Sequence, residues 1–501
     1  MPKQKISSHC NDCLEPVDAA VELLFSLPPD PIGTPARSEN RSITAIRKGR
    51  FPGATSKSLI VTTQTGSIWR YDFDTNIVTE VLNIRSLVLQ PIAAPFDAFF
   101  ESGLTGIELD PDFKHNGIIY ITYAIAGSVG SNVVVAVPDQ CIPATLNQTW
   151  QFAAPANQYD HTIAIEQWQW DSNINTFTKL KRYLQIKSVS FNHQGIDNLR
   201  WDYKLDQLVY ALGDTSSGTT RGSTLEFIVA DPFNLAQNPD FLQGKHWALD
   251  VRNWPNIVDP AAVAQYSELI ALYPNLQTRL HQLTIGFRNG NAPIAEKATH
   301  DQIYYNAVPG HQTLEAVFAF DSYGKNFGWR PIEGGAFPTL TFITTCPQPP
   351  PLPAIRRYEN TYRAQLLQSE ALYDEAHASI VRHLVNLATG PWPLAYISAV
   401  PYNGKEIRGL KGTIILGWFQ SRNGPAFLPG RLQYFCPNRN CLEERVIPQD
   451  INLQNSIGAR GQITAMASDI CQTKLYLGIN DITGANPTSG LRSVYRLIPP
   501  Q

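Results

Sequence analysis

No stretch of about 18 apolar residues occurs in this 501-residue chain, so nothing in it reads as a membrane-spanning helix. Charge is scarce as well. Asp, Glu, Lys and Arg make up 17% of the residues against 43% hydrophobic, which excludes the disordered class, richer in charge and poorer in aromatics. A basic excess is missing: the formal net charge is -3, and nucleic-acid-binding surfaces carry a cationic surplus, so no nucleic-acid partner is expected. The opening MPKQKISSHCNDCLEP has two lysines with no apolar core behind them and does not read as a secretory signal, which leaves localisation open. Common catalytic signatures are absent too. Without G-x-S-x-G, a phosphate-binding loop, H-E-x-x-H or a G-x-G-x-x-G after a strand, the sequence gives no support to a serine hydrolase, a P-loop NTPase, a zincin or a Rossmann dehydrogenase.

What the chain has instead is a recurrence, of no constant length, of short β-branched and aromatic runs that end in turns. They are Lys57-SLIVTTQTGSIWRYDF, Asn116-GIIYITYA, Asp206-QLVYALGD and Asp301-QIYYNAV, then Gly412-TIILGWF answered by Gly430-RLQYF, and Thr473-KLYLGIND answered by Leu491-RSVYRL. Each reads as a strand, and several pass through a Gly-bearing turn into a second strand. Six such units at uneven spacing predict an all-β chain folded as a six-bladed β-propeller. The physics is consistent, because a four-stranded blade cannot bury both faces alone and blades stacked around an axis leave only short edges.

Residues 1–42 are expected as an N-terminal arm, with a short helix over Asp18-AAVELLFSL, and residues 43–498 as the propeller. Within it, Cys346-PQPPPLP reads as a proline-rich spacer. The following Tyr362-RAQLLQSEALYDEAHASIVRHLVNLATG reads as helix, from an apolar stripe through Leu366, Leu367, Ala371, Leu372, Ala376 and Ile380 and a stop at Gly390-Pro391. A helical insertion over 347–390 is therefore expected, either as decoration or as the meeting place of a protein partner. The seven cysteines are an odd number and preclude complete internal pairing. Cys10-x-x-Cys13 and Cys436-x4-Cys441 leave three readings open: a four-thiolate zinc site, disulfides within or between the pairs, or free thiols in a reducing compartment.

The polar residues that could carry chemistry lie in loops beside the strands. His193-Gln-Gly precedes the third run and Gly213-Asp214 closes it. Arg288-Asn289 sits in Ile285-GFRNGNAP before the fourth, and Arg460 in Gly458-ARGQITAMA before the sixth. Loops of different blades converge at one end of a propeller channel, so residues far apart in sequence can share a site. Histidine suits general-base work near neutral pH. Arginine suits a planar anionic ligand. Each also has a plain reading, a surface His or an Asp closing an Asx turn.

The order and wording of several segments resemble the soluble quinoprotein glucose and aldose dehydrogenases, the glucose/sorbosone dehydrogenase family. Gly103-LTGIELDPDFKHNGIIYITYA is similar to that family's Gly-Leu-Leu-Gly, His-Pro-Asp-Phe and Asn-Gly followed by a Tyr-containing strand. Asn192-HQGIDNLRWDYKLDQLVYALGD resembles its His-x-Gly segment running into Gly-Asp. Ile285-GFRNGNAP resembles its Gly-x-Arg-Asn-Pro turn, and Lys325-NFGWRPIEGG its Asn-Tyr-Gly-Trp-Pro stretch. Gly417-WFQSRNG and Gly458-ARGQITAMASD resemble the late loop and the final blade. The resemblance implies pyrroloquinoline quinone (PQQ) bound over the channel with calcium beside it. It puts His193 in the position of the base that takes the proton of the sugar's anomeric hydroxyl, and Asp214 where the base is oriented. Arg288 and Asn289 would face the cofactor and the reacting carbon, and Arg460 a cofactor carboxylate.

Departures accompany the likeness. The calcium loop reads Val308-PGHQTLEAV, with Pro309-Gly310 inverted relative to the family's Gly-Pro and only Glu315 kept of its acids. Glu101 stands where a glutamine is usual, Gln420 where the glucose-oxidising branch has a cofactor-binding lysine, Gly458 in place of a second arginine and Gly290 in place of proline. Two functions follow. One is a PQQ-dependent oxidation of an aldose C1 hydroxyl, with a small-molecule sugar as substrate. The other is a catalytically degenerate propeller serving in binding or assembly.

Overall fold

The computed structural model describes residues 15–28, 42–85, 103–126, 161–188, 194–215, 236–257, 259–295, 303–309, 314–320, 322–328, 379–384, 392–393, 395–419, 421–423, 426–437, 448–455, 457, 461–481 and 491–501. Its contacts divide the chain into two units. One is Pro31–Pro293 with Ser322–Ala376, and the other is Met1–Asp30 with Ile294–Asp321 and His377–Gln501. The N-terminal strand β1 (Val17–Ser26) belongs to the latter.

Three antiparallel sheets build the unit that contains Pro31–Pro293. Strands β2 (Ile43–Gly49), β3 (Ser58–Thr63), β4 (Ser67–Asp72) and β5 (Val78–Asn83) pair in sequence order. So do β6 (Leu104–Leu109), β7 (Ile118–Ala126), β8 (His161–Asp171) and β9 (Thr176–Ser188). The third sheet has β10 (Leu199–Asp202), β11 (Gln207–Leu212) and β12 (Lys245–Leu249). A short β13 (Ala262–Val263) runs parallel along β9, and β14 (Leu280–Ile285) completes the third sheet beside β12.

Inner strands are covered on both faces. All six residues of β3 are buried, which is why such runs read as continuous apolar stretches instead of alternating ones. Shared cores tie neighbouring sheets: Phe51 and Ile68 pack with Ile107, Ile121 and Trp168, and Tyr120 and Ile163 pack with Trp201, Tyr210 and Trp247. Helix is minor among the described residues, with α1 at Phe113–Asn116 and α2 at Tyr266–Leu272.

In the other unit β15 (Ile294–Ala295), β16 (Tyr304–Val308), β17 (Leu314–Phe320) and β18 (Ser379–Leu384) make one antiparallel sheet. Strand β19 (Trp392–Pro393) follows, then β20 (Tyr396–Tyr402), β21 (Thr413–Trp418), β22 (Ser421–Asn423), β23 (Ala426–Leu428), β24 (Leu432–Phe435) and β25 (Gln449–Leu453). The last three are β26 (Gly461–Ser468), β27 (Leu475–Asp481) and β28 (Leu491–Ile498). An eight-stranded sheet runs β20-β21-β24-β25-β1-β28-β27-β26, and β19, β22 and β23 form a small sheet of their own. Strand β1 is the joint of the larger sheet: Val17–Ala19 run parallel to β25, and Ala20–Ser26 antiparallel to β28. The chain is all-β, and each unit holds at least one four-stranded up-and-down sheet of the propeller-blade kind.

Two expectations are corrected, and one left open is decided at Cys436. The helix expected over Asp18–Leu27 is strand β1: its apolar residues Ala19, Ala20, Val21 and Phe25 are buried by β25 and β28, and a register shift between Leu23 and Phe25 breaks the alternation that marks a strand. The end of the expected helical insertion is strand as well. Ile380, put on the helical stripe, pairs with Phe318 in the β17–β18 ladder, while residues 347–378 lie outside the described residues. Cys436 is disulfide-bonded, so its sulfur is no thiolate for zinc; Cys471 is a free, exposed thiol, and Cys10, Cys13 and Cys441 lie outside the described residues.

Candidate functional site

Two turns meet at the ends of β11 and β14. The chain leaves β14 through Gly286, whose φ is +83°, and whose N–H donates to the carbonyls of Ala236 and Gly244 at 3.0 Å each. A Cβ on Gly286 would lie 2.3 Å from Asn326 Oδ1 and 2.5 Å from Gln237 Nε2, so only glycine fits. That Asn326–Gln237 pair is reciprocal: Gln237 Nε2 donates to Asn326 Oδ1 at 2.9 Å and Asn326 Nδ2 to Gln237 Oε1 at 2.6 Å. On either side of Asn326, Ile285 N–H donates to Lys325 O at 3.0 Å and Phe327 N–H to Ile285 O at 2.9 Å. The Lys325-NFG segment is therefore a clamp on the turn that carries Arg288 and Asn289.

The segment 194–198 docks onto the same turn. Gly195 N–H donates to Asn289 Oδ1 at 2.9 Å, and Ala292 N–H to Asp197 O at 3.3 Å. Beyond β11, Asp214 N–H donates to Arg288 O at 2.7 Å. Asp214 and Asn289 are buried and Arg288 is half-buried.

A closed charge network fixes segment 194–198 from below. Asp197, with φ +56°, is buried and takes Arg47 Nη2 on Oδ1 at 2.7 Å and Arg200 Nη1 on the same oxygen at 2.7 Å, with Arg200 Nη2 on Oδ2. Arg47 also donates through Nε to Glu108 at 2.7 Å and to the carbonyls of Ile46 and Leu199 at 2.8 Å each. Burial works to lower the Arg47 pKa, but the charges of Asp197 and Glu108 overcome it and raise it, so the guanidinium stays ionised. Asn198 adds Nδ2 bonds to Thr105 Oγ1 at 3.2 Å and Gln194 O at 3.1 Å.

His246, on β12, underlies the Arg288 turn. Its ring stacks on Phe287 with centroids 4.4 Å apart. Burial drives its pKa down to about 3, so the imidazole is neutral. Asn291 O, at 3.4 Å from Nε2, can only accept, which gives Nε2 the proton and leaves Nδ1 to accept from Thr284 Oγ1 at 2.5 Å. A neutral histidine with both nitrogens engaged is a support for the turn, and no base for a reaction.

Of the residues picked from sequence, Asp214, Arg288 and Asn289 are brought together. His193, Glu101, Gln420, Arg460 and Gly310 lie outside the described residues. Pro309 follows β16, and Glu315 lies in β17 opposite His383. No group of three or more His, Cys, Asp or Glu converges among the described residues. Sequence reasoning passed over His246, Asp197 and Asn198, whose partners are remote along the chain. It also passed over Thr215, which carries no motif.

No family model and no curated protein matches the sequence. Solved structures do match. A glucose dehydrogenase superposes with a TM-score of 0.52 at 15% identity, over 96% of this chain and 99% of that one. The soluble aldose sugar dehydrogenase of Escherichia coli, solved in the apo-form, gives 0.50 at 13% identity, over 96% and 100%. The likeness is one of fold. It runs the length of the chain, as does the resemblance read from the segments.

Proposed function

We propose that the four-stranded sheets are the blades of a six-bladed propeller, the eight-stranded sheet counting as two blades joined by β1. We further propose that the protein is a PQQ-dependent sugar dehydrogenase oxidising an aldose at C1. One observation carries the reading. Gly195 N–H to Asn289 Oδ1 and Asp214 N–H to Arg288 O draw into one place the three segments that the resemblance makes base-bearing, base-orienting and cofactor-facing. Whole-chain likeness of fold to glucose and aldose dehydrogenases supports the reaction class.

Arg288 is the described residue that would hold an anionic quinone. Arg288 offers a guanidinium suited to carboxylate and carbonyl oxygens, on a turn held rigid by its own carbonyl and by Asn289. When bound, PQQ would supply the acceptor for the hydride of the sugar's C1. His193, the residue before Gln194, takes the proton of the anomeric hydroxyl as that hydrogen leaves, and the sugar departs as the lactone. Asp214 orients the imidazole, and Arg288 steadies the negative charge that develops beside it. Pro309, Gly310 and Glu315 would hold the calcium that the resemblance implies.

The test is reconstitution. Purified protein with PQQ and calcium is offered a panel of aldoses and an artificial electron acceptor. Acceptor reduction is expected, with His193→Ala lowering kcat about a hundredfold or more while circular dichroism stays unchanged. A wild-type protein that oxidises no aldose of the panel would sink the enzymatic reading and turn the search to binding or assembly.

A further inference from the structure

Thr215 combines two anomalies one residue from Asp214. Among the described residues six non-glycines have positive φ, and five of them are Asn, Asp or Gln; Thr215, at +48°, is the only β-branched one. Branching at Cβ makes that conformation costly, and backbone strain of this kind gathers at ligand-binding sites. The second anomaly is its hydroxyl. Thr215 is 0% exposed, and Oγ1 has no hydrogen-bond partner. A buried hydroxyl loses its water on folding, and natural proteins rarely leave one unpaired without use for it.

Its neighbours fix where it stands. Gly213 O accepts from Gly244 N at 2.9 Å, Gly244 O accepts from Gly286 N at 3.0 Å, and Asp214 N–H is held on Arg288 O at 2.7 Å. The end of β11 is thus stitched to the Arg288 turn on both sides of Gly213–Asp214, which brings Thr215 to the edge of the candidate site.

We infer that Thr215 is a specificity-determining residue whose hydroxyl meets a hydroxyl of the bound sugar. A threonine hydroxyl both donates and accepts, which matches a sugar hydroxyl. This rests on the sugar dehydrogenase reading above. Three variants test it, with D-glucose as substrate probe and PQQ as cofactor probe. Thr215→Val, which keeps the shape and removes the hydroxyl, is expected to raise KM for D-glucose about five- to tenfold. PQQ affinity should stay within about twofold. In the apo-protein the same change should leave the melting temperature unchanged or raise it by about 1–3 °C, because an unpaired buried group is removed. Thr215→Ser should restore KM to within about threefold of wild type, and Thr215→Gly, free of the strain, should melt no lower than wild type. An unchanged KM in Thr215→Val, an equal rise in Thr215→Ser, a shift in PQQ affinity in place of KM, or a lower melting temperature in Thr215→Val overturns the inference while the dehydrogenase reading stands. Wild-type protein that oxidises neither D-glucose nor another aldose overturns both.

Discussion

Two ion clusters in the Pro31–Pro293 unit use the same residue types to different ends. One is Arg47, Glu108, Asp197 and Arg200, closed and nearly dry, with side-chain exposures of 9%, 12%, 4% and 15%. It spans three sheets, from β2 and β6 to the entry of β10, and its centre is the backbone-strained Asp197 under the candidate site. The other gathers Lys179, Arg182 and Trp168 Nε1 around the fully buried Glu166 on β8 and β9, then opens to solvent through Asp259, 68% exposed. In the first, every member is committed to fixing one segment of chain. In the second, a hairpin is stapled and the last partner is dispensable. Buried ion clusters are costly to assemble and add little net stability over apolar packing, but they are severe to break. A protein gains from one where a loop must hold a single geometry, which is where the closed cluster lies.

The largest effect is expected at the closed cluster. Asp197→Ala leaves Arg47 and Arg200 with Glu108 as their one shared carboxylate in a nearly dry place and should cost about 3–5 kcal/mol, read from the midpoint of urea unfolding. A loss below about 1 kcal/mol would show that the network relaxes and does not set the loop.

His246 beneath the turn gives the next effect, through pH. The unfolded imidazole titrates near about 6.5, whereas the folded one is held down to about 3. Above the unfolded value neither state holds the proton and the group adds no pH dependence. As pH falls below it, the unfolded chain alone takes up the proton, and stability drops by about 1.4 kcal/mol per pH unit until the folded value is reached. His246→Phe should flatten the stability profile between about pH 6 and 4, and an unchanged slope would mean that the ring reaches water. The smallest effect belongs to the open cluster, where Asp259→Asn should cost less than about 1 kcal/mol in the same unfolding assay. If it cost as much as Asp197→Ala, the distinction between closed and open clusters would fail.

The strands were legible because burial on both faces leaves mostly apolar and β-branched residues in the inner strands, as in Ser-Leu-Ile-Val-Thr-Thr of β3. Each of the runs read as strand overlaps one, and the first contains two, β3 and β4. Helical periodicity misled where a strand bulges, at Leu23–Phe25, and where a strand follows a polar stretch, at Ile380.

A shorter signature was also present and went unread. An aromatic residue, Asp, and then Asn or Asp four positions on recurs at Tyr71-Asp72, Trp170-Asp171 and Trp201-Asp202. In all three hairpins the Asp Oδ1 accepts from the backbone N–H two residues on, and the closing residue takes positive φ: Asn76, Asn175 and Asp206. Of the candidate site, Asp214 and Arg288–Asn289 were legible through the resemblance. Asp197 and His246 were not, because a buried polar residue is defined by its partner, and Arg47 lies 150 positions from Asp197.

The measurement that bears most directly on the proposed function is a titration of the purified protein with PQQ and calcium, followed by the cofactor's absorbance, with Arg288→Ala beside wild type. Saturable binding by wild type is expected, weakened about tenfold or more in Arg288→Ala, because a charge-assisted contact to an anionic group is lost. No binding at high micromolar PQQ, or equal binding by both proteins, would contradict a quinone site built on the Arg288 turn.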